Sequence, residues 1–358
     1  MLGLDHSATI AHDDALRSGL GRRVRSRIDR VGYRAQHLAL ISVLAPVVRA
    51  WYFALQPRTD RSPTIEPLLR GFHDLLERDL DHVERGYYPR DLLFQLPVGS
   101  YVRAIPELLV DAPRMLLRRH RQRFDALPAG IDLRRYPPYY RRNFHWQPDG
   151  WFSDRSARLY DVSVEILFCG VADVMRRMAI PPVLDAAAPD ARVLDLGCGT
   201  GRFLLQLHRA LPSARLCGLD LSPHYVARAG QMLAGVRGAG LLVENAEAVP
   251  FRDGSFDAVT SIFMFHELPR DARRNVAREA LRVLRPGGRF VVCDSAQRSD
   301  GAELAPFLEA FQQHFHEPYY KGYVSDDLGR LLAGVGFEVI SEQTHFVSKV
   351  VVGQKPGS

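Results

Sequence analysis

The chain has 358 residues, of which 46% are hydrophobic and 25% are charged, a composition typical of a folded globular protein. A chain of this length can bury a large core, which argues against a fold that depends on disulfides. The four cysteines, Cys169, Cys198, Cys217 and Cys293, form no CxxC pair. Their spacing favours a reducing, cytoplasmic location and predicts no metal site.

Residues 1–130 form a first zone that is predicted to be mainly helical. Apolar residues recur there at helical spacing through Pro67–Leu80 and Tyr101–Leu117. Residues 1–150 contain 24 arginines against 17 acidic residues, so an anionic partner would meet this part of the chain, although an ordinary solvated surface explains the charge equally. The zone has no assigned role. It could cap an acceptor pocket, form a homodimer interface, or dock on a membrane or a protein.

The segment His37–Gln56 is the most hydrophobic in the chain, and a proline and an arginine interrupt it. This pattern predicts a pair of buried helices, with a peripheral membrane contact beside the basic run Arg22–Arg34 as the alternative. Residues 1–36 are polar and basic and do not resemble a secretory signal.

Residues 131–182 form a second zone, predicted to be an aromatic-rich helical lid or linker. Aromatic and polar residues crowd together in Tyr136–Asp161, and a helical pattern follows in Ser163–Met178. The Pro-Pro pair and the Ala/Pro run that extend to Pro189 are typical of a linker.

Residues 183–358 form a third zone in which short apolar strands alternate with helical segments such as Asp271–Leu284. This alternation predicts an α/β domain whose sheet is mostly parallel and carries helices on both faces. The last two strands have the spacing of a hairpin. The predicted strands are Val193–Gly197, Ala214–Ser222, Leu241–Asn245, Phe256–Phe265, Gly288–Ser295, Phe337–Gln343 and Ser348–Lys355.

A glycine-rich loop, Asp195–Gly201, follows the first of these strands and precedes a helical segment. Glycines at this position let the backbone approach a ligand closely, where the N–H groups of a helix N-terminus are free. A dinucleotide fingerprint would place glycine or alanine at position 202, but this chain has Arg202. Asp220 ends the second strand, where its carboxylate can accept hydrogen bonds from ribose hydroxyls.

Four segments in this order resemble the class I S-adenosylmethionine (SAM)-dependent methyltransferases, and among them the ubiquinone/menaquinone-type C-methyltransferases. They are ARVLDLGCGTGRF (191–203), GLDLS (218–222), ENAEAVPFRDGSFDAVTSIFMFHEL (244–268) and LRVLRPGGRFVVCD (281–294). The resemblance implies a Rossmann-like, seven-stranded, mostly parallel sheet with an antiparallel last strand. It also implies SAM as the methyl donor, with S-adenosylhomocysteine as the product.

The resemblance further implies a set of donor-binding residues. Asp195, Gly197, Cys198, Gly199 and Gly201 would surround the methionine part of SAM, and Asp220 and Leu221 the ribose and adenine side. Asn245, Ala246 and Glu247 match an Asp-Ala-Glu segment of the family, and Ile262 and Phe263 would lie beneath the ligand. Asn245 replaces the acid that contacts the adenine amino group, and its side-chain carbonyl can still accept that hydrogen bond.

Two residues are predicted to act at the reacting atoms. Ser156–Gly170 resembles a stretch that forms a helical lid over the donor in the quinone-type enzymes, which makes Tyr160 a candidate contact to SAM or the acceptor. His266 follows the fourth strand and has the titration range of a general base. A packing role for Tyr160 and a structural role for His266 remain alternatives.

The segments Tyr136–Tyr160 and Pro306–Leu328 are expected to contact the acceptor. Relatives build acceptor lids from the region of the second segment. Such a density of aromatic residues suits a planar or apolar acceptor, although it would equally suit a helix core. The candidate acceptor residues are Tyr140, His145, Phe311, His314, Tyr319 and Tyr320. The Pro-Pro-Tyr sequence 137–139 resembles a motif of nucleobase N-methyltransferases, but it precedes the glycine loop and lacks the polar residue before the prolines.

The sequence therefore favours a SAM-dependent methyltransferase that acts at a carbon, oxygen or sulfur atom of a small or lipid-like acceptor. One alternative is a nucleic-acid or protein methyltransferase that docks through the basic first zone, although nucleic acid is the less favoured partner. A SAM-binding module without transferase activity is the other.

Overall fold

The protein is described here from a computed structural model that covers residues 27–46, 65–95, 98–121, 123–147 and 149–357. Seven strands form one sheet: β1 (Arg192–Leu196), β2 (Arg215–Asp220), β3 (Gly240–Val243), β4 (Phe256–Ile262), β5 (Leu284–Ser295), β6 (Glu338–His345) and β7 (Ser348–Gln354). The helices are α1 (27–46), α2 (Ile65–Glu84), α3 (Val98–His120), α4 (Asp154–Leu167), α5 (Ala172–Arg177), α6 (Ile180–Leu184), α7 (Arg202–Ala210), α8 (Pro223–Met232), α9 (Arg270–Val283), α10 (Ala305–His314), α11 (Tyr320–Val324) and α12 (Leu328–Val335).

The strand order is β3-β2-β1-β4-β5-β7-β6. The first five strands are parallel, whereas β7 runs antiparallel to both β5 and β6. The predicted Rossmann-like sheet with an antiparallel last strand is confirmed. The strand order reverses direction between β1 and β4, and in such sheets ligands bind outside the carboxyl ends of the strands at this point.

Successive side chains of the strands point to opposite faces of the sheet, and each face has its own core. In β1, Val193 packs with residues of α5–α7, while Leu194 and Leu196 pack on the side of α9–α12. In β5, Cys293 lies on the first face and Val292 on the second. The alternation follows from the two-residue period of a strand, and it gives a sheet that is buried on both sides.

The helices of the first zone extend the core on one face of the sheet. Tyr33 of α1 and Phe72 and Leu75 of α2 are buried in the same cluster as Met175 of α5 and Val350 of β7. The predicted helical character of this zone is confirmed for α1–α3. The division into zones at residues 130 and 182 stays a prediction.

Only the first half of the hydrophobic segment His37–Gln56 belongs to the described residues. Its beginning lies in α1, where His37 is buried and Leu38 and Val43 are exposed. The other half, from residue 47 onward, lies outside the described residues, as do residues 22–26 of the basic run Arg22–Arg34. Within the described part of the chain, no helix is both long and apolar enough to span a bilayer.

The structure adds detail at two places in the second zone. Ser163–Met178 does not form one helix, because α4 ends at Leu167 and the backbone turns through Cys169 and Gly170 at positive φ. The carboxylate of Glu165 then accepts hydrogen bonds from the first N–H groups of α5, at Ala172 and Asp173. The predicted linker at the Pro-Pro pair begins with the helix α6, whose Ile180, Pro181 and Val183 are buried.

Candidate active site

The glycine loop leaves β1 at its carboxyl end and reaches α7 through three glycines at positive φ. Gly197, Gly199 and Gly201 have φ values of 71°, 54° and 78°. A Cβ atom on Gly197 would lie 2.5 Å from the Sδ atom of Met264, while one on Gly199 would meet no atom within 4 Å. The positive φ therefore favours glycine at both 197 and 199, and a side chain at 197 would in addition have to displace the flexible Met264.

Asp220 at the end of β2 holds this loop in place. Its Oδ2 atom accepts a hydrogen bond from the backbone N–H of Gly199 (3.0 Å), and its Oδ1 atom accepts one from the N–H of Ser222 (2.8 Å). Burial raises the pKa of Asp220 to about 6, although these backbone donors act in the opposite direction. The carboxylate is fixed in position and still faces the cleft beside the loop.

The cleft beside the loop, called the donor cleft here, has a volume of about 790 Å³. Aromatic residues of the second zone close it from above, among them Tyr139, Tyr160 and Trp151. Eight of the twelve predicted donor residues line it: Gly197, Gly199, Asp220, Leu221, Asn245, Ala246, Ile262 and Phe263.

The other four predicted donor residues lie behind the cleft wall. Gly201 caps α7 and Cys198 is buried beneath the loop. Asp195 accepts a hydrogen bond from Thr260 Oγ1 (2.7 Å), and burial, together with the charge of Asp220, raises its pKa to about 7.

Glu247 binds protein groups with both of its carboxylate oxygens. Its Oε1 atom accepts a hydrogen bond from the hydroxyl of Tyr139 (2.6 Å) and its Oε2 atom accepts one from Nδ2 of Asn275 (2.9 Å). The neighbouring Asn245 Oδ1 accepts the N–H of Glu247 (2.9 Å), which fixes the side chain that faces the donor cleft. These contacts assign Glu247 a structural role, and its contact with a ligand stays a prediction.

The helix α4 lies over the donor cleft and is fastened to the glycine loop. Ser153 caps its N-terminus by accepting the N–H of Ser156, and Asp161 accepts a hydrogen bond from Thr200 Oγ1 (2.9 Å). Tyr160 projects from this helix against the rings of Trp151 and Tyr225. Burial raises the pKa of Tyr160, so its hydroxyl stays neutral near pH 7 and can donate a hydrogen bond.

A second cavity, called the acceptor cavity here, has a volume of about 1270 Å³ and lies next to the donor cleft, since Tyr160 and Phe263 line both. Most of its wall is apolar, with side chains from α3, α4, α5 and α10. The wall includes Leu108, Met115, Leu159, Phe168, Met175, Phe307, Phe311, Phe315 and Tyr320.

The predicted acceptor residues are therefore distributed between two places. Phe311, Tyr320 and His145 line the acceptor cavity, whereas Tyr140 lines the donor cleft. Tyr319 packs edge-on against Tyr139 and belongs to the wall of neither cavity. The side chain of His314 lies outside the described residues.

Imidazole and carboxylate groups gather between the two cavities. His266 Nδ1 lies 2.6 Å from Asp294 Oδ1, while its Nε2 atom lies 3.9 Å from Glu317 Oε2. His145 Nε2 lies 3.2 Å from Glu267 Oε1, and its Nδ1 atom lies 3.0 Å from Glu317 Oε1. We call His145, His266, Glu267, Asp294 and Glu317 the His–carboxylate cluster.

Comparisons with known proteins agree with this geometry. Residues 193–288 match a family model described as a methyltransferase domain. The chain is 33% identical over 227 residues to the demethylmenaquinone methyltransferase of Thermus thermophilus, covering 57% of this chain and all of the relative. It is 30% identical over 219 residues to that of Thermotoga maritima, covering 56% of this chain and 93% of the relative. The chain belongs to the class I SAM-dependent methyltransferases.

A solved SAM-dependent methyltransferase from Methanosarcina mazei has a similar fold, with a TM-score of 0.40 and 20% identity over 50% of this chain and 98% of that one. The family model and the demethylmenaquinone methyltransferase relatives show that the chain is an enzyme of SAM-dependent small-molecule methylation, and the predicted family and activity are confirmed. The relatives leave more than two fifths of the methyltransferase unmatched.

The carboxylates of the His–carboxylate cluster raise the pKa of both of its histidines. Burial opposes a charge on His266, but Asp294, Glu317 and Glu267 outweigh it and raise its pKa to about 10. In the same way burial opposes the charge on His145, while Glu317 and Glu267 raise its pKa to about 9. A histidine that keeps its proton at neutral pH is a hydrogen-bond donor, so the general-base role of His266 stays a prediction that these charges do not favour.

The sequence did not identify Asp294 and Glu317 as site residues. Asp294 had a usable signal, because it lies near the carboxyl end of β5, the edge at which α/β sheets bind ligands. Its Oδ2 atom also accepts the N–H of Phe265 (2.7 Å), which fixes the turn that carries His266. Glu317 follows a helix in an irregular segment and had no comparable signal.

Proposed function

We propose that the methyltransferase binds SAM in the donor cleft and methylates an apolar, ring-bearing acceptor of the hydroquinone class in the acceptor cavity. The observation that carries the proposal is that the two cavities are neighbours, with Tyr160 and Phe263 lining both. A sulfonium methyl group in the donor cleft would have to reach the acceptor through this junction.

The residues of the donor cleft fit SAM. The fixed carboxylate of Asp220 can accept hydrogen bonds from a ribose, and Gly199 leaves open space above the loop. The side-chain oxygen of Asn245 accepts one hydrogen bond from the protein and has a second lone pair available to a ligand.

The wall of the acceptor cavity supports an apolar acceptor. Most of its surface is apolar, while Tyr160, which also lines the donor cleft, and His266 are among the polar groups that line it. This arrangement suits a molecule with a long apolar part and a polar ring, because the ring would lie beside Tyr160 and His266. The names of the relatives, demethylmenaquinone methyltransferases, support the same class of acceptor.

Methyl transfer from a sulfonium is an in-line displacement, so the enzyme must mainly position two molecules and exclude water. The methyl carbon bonds to the acceptor as its bond to sulfur breaks, and the sulfur keeps the electron pair in S-adenosylhomocysteine. The acceptor loses one proton. The lid formed by α4 and its aromatic neighbours would keep water from the junction between the cavities.

The test is an anaerobic assay with SAM that carries a trideuterated methyl group and a reduced, prenylated 1,4-naphthoquinone that lacks its ring methyl group. Mass spectrometry should find the label in the quinone fraction. Phe307→Ala in the acceptor wall should raise KM for the quinol and leave the Kd of SAM unchanged. Phe251→Ala, a partly buried phenylalanine outside both cavities, is the matched control and should leave both unchanged.

Label in added RNA or protein, with none in the quinol, would overturn the proposal in favour of a macromolecular acceptor. SAM binding without methylation of any quinol would overturn the proposed hydroquinone class of acceptor and leave the proposed SAM site standing.

A further inference from the structure

The His–carboxylate cluster has the donor set of a metal site. His145, His266 and Glu317 each offer one ligand atom, and these atoms lie within 4.8 Å of one another. They come from a turn before α4, the turn after β4 and the segment after α10, so the fold brings together three distant parts of the chain. This distance in sequence explains why the spacing of the residues predicts no metal.

Glu317 is the least explained residue of the cluster. Its side chain is fully buried, yet neither carboxylate oxygen has a hydrogen-bond partner among the described residues. Its nearest polar groups are His145 Nδ1, an ion-pair contact at 3.0 Å, and His266 Nε2 at 3.9 Å, which is beyond hydrogen-bond distance. A buried carboxylate without hydrogen bonds is costly unless a cation lies beside it. The protonated histidines supply that charge when no metal is bound, and a metal ion at this place would take over the role and displace their facing protons.

Both histidines are oriented from behind by a second carboxylate. Asp294 lies 2.6 Å from His266 Nδ1, and Glu267 lies 3.2 Å from His145 Nε2. The opposite nitrogens, His266 Nε2 and His145 Nδ1, then face Glu317. Histidines that bind metal ions almost always donate their other ring N–H to a carboxylate, a carbonyl or water.

The distances suit a small ion. Ligand atoms at about 2.0–2.2 Å from a tetrahedral zinc ion lie about 3.4 Å from one another. The separations from His145 Nδ1 to Glu317 Oε1, 3.0 Å, and from His266 Nε2 to the other oxygen, Oε2, 3.9 Å, lie on either side of this value. The backbone supports the arrangement, because the N–H of His145 donates to the carbonyl oxygen of His316, next to Glu317.

We propose that His145 Nδ1, His266 Nε2 and the Glu317 carboxylate bind a divalent transition-metal ion of the zinc type. His145 and His266 also line the acceptor cavity, so the remaining coordination position would face the acceptor. On the basis of the proposed function, this position takes an oxygen atom of the hydroquinone-class acceptor. Two nitrogen donors with one carboxylate and an open position are typical of catalytic rather than structural sites.

The test is metal binding by the purified full-length chain after treatment with a chelator. Calorimetry with Zn²⁺ should give one ion per chain, and Co²⁺ should give visible absorption bands that saturate at the same ratio. Asp294→Asn should weaken Zn²⁺ binding by about 10–100-fold, and Glu317→Gln and His266→Ala should weaken it by more. His224→Ala is the matched control. His224 also lies 2.6 Å from a carboxylate, that of Asp154, but more than a third of its side chain is exposed. The affinity of this variant for Zn²⁺ should match that of the native protein.

Thermal melting and the Kd of SAM, measured for every variant, separate a lost metal site from a lost fold. Absence of Zn²⁺ and Co²⁺ binding, or equal binding by the native protein and the Glu317→Gln variant, would overturn the proposal and leave the cluster as an ion-pair network. The proposed function fails separately, when Zn²⁺ binds at this site but no quinol is methylated.

Discussion

Asp220 shows how a single residue prepares the donor cleft before a ligand binds. Two backbone N–H groups fix its carboxylate at the edge of the cleft, while burial makes its negative charge costly. Ribose hydroxyls that donate to this carboxylate would favour the ionised form, because a hydrogen bond to the charged state lowers a carboxyl pKa. Ligand binding and ionisation of Asp220 are therefore expected to be coupled.

The first prediction concerns this coupling. The pKa of Asp220 is about 6 without ligand and should be lower in the complex, so SAM affinity should fall as the pH decreases through 6. The fall should approach about tenfold per pH unit at most, measured by calorimetry with SAM or S-adenosylhomocysteine between pH 7.5 and 5.

Asp220→Asn provides the comparison for this experiment, since an amide at 220 should bind SAM weakly at every pH and show no such fall. An equal pH dependence in the native protein and in Asp220→Asn would assign the effect to another group.

The second prediction concerns Gly197. Gly197→Ala should cost about 1–2 kcal/mol through its positive φ, and its Cβ would also displace Met264 at the wall of the donor cleft. Gly287→Ala is the matched control: it has a φ of 75° but open space around the new Cβ, far from the cleft. Thermal melting should show a loss of stability in both variants. Calorimetry should show that the Kd of SAM rises by about tenfold or more in Gly197→Ala and is unchanged in Gly287→Ala. Equal SAM affinity in the two variants would contradict the prediction.

At the scale of elements, the strands were predictable and the lid was only partly so. Alternating apolar strands and glycine loops encode the parallel sheet locally, which is why all seven predicted strands occur with small differences at their ends. The break between α4 and α5 was not predictable from periodicity, because it depends on a turn at Gly170 that Glu165 stabilises by capping α5. The donor loop was predictable because, like the strands, it is encoded by consecutive residues. Glu317 was not predictable, because only tertiary packing brings it into the site.

The third prediction tests the fastening of α4 to the glycine loop. Thr200→Val removes the hydroxyl that donates to Asp161 and keeps the shape of the side chain. Loss of a buried hydrogen bond to a carboxylate should lower the free energy of unfolding by about 1–3 kcal/mol, measured in urea. Amide exchange in α4 should become faster while exchange in α9 should not, and unchanged exchange in α4 would show that the bond does not hold the lid.

At the scale of the whole molecule, a buried ion pair joins the N-terminal helices to the helices that cover the sheet. Arg177 of α5 donates from Nε to Asp79 of α2 (2.8 Å), and the hydroxyl of Tyr88 donates to the same carboxylate (2.6 Å). Tyr33 of α1 donates to the other oxygen of Asp79. The sequence indicated helices here but could not indicate which of the many arginines pairs with which acid. This network makes α1 and α2 part of the enzyme's core rather than a separate module.

The fourth prediction follows from this network. Asp79→Ala should lower the free energy of unfolding by about 3–5 kcal/mol, because it leaves the Arg177 guanidinium buried without its partner. Glu66→Ala is the matched control: it breaks the pair between Glu66 and Arg70 in the same helix, but that pair is exposed and should contribute less than about 1 kcal/mol. Urea denaturation should remain a single transition in both variants, since α2 shares its hydrophobic cluster with the sheet. Two separate transitions in Asp79→Ala, with the Kd of SAM unchanged after the first, would instead mean that the N-terminal helices unfold independently of the methyltransferase domain.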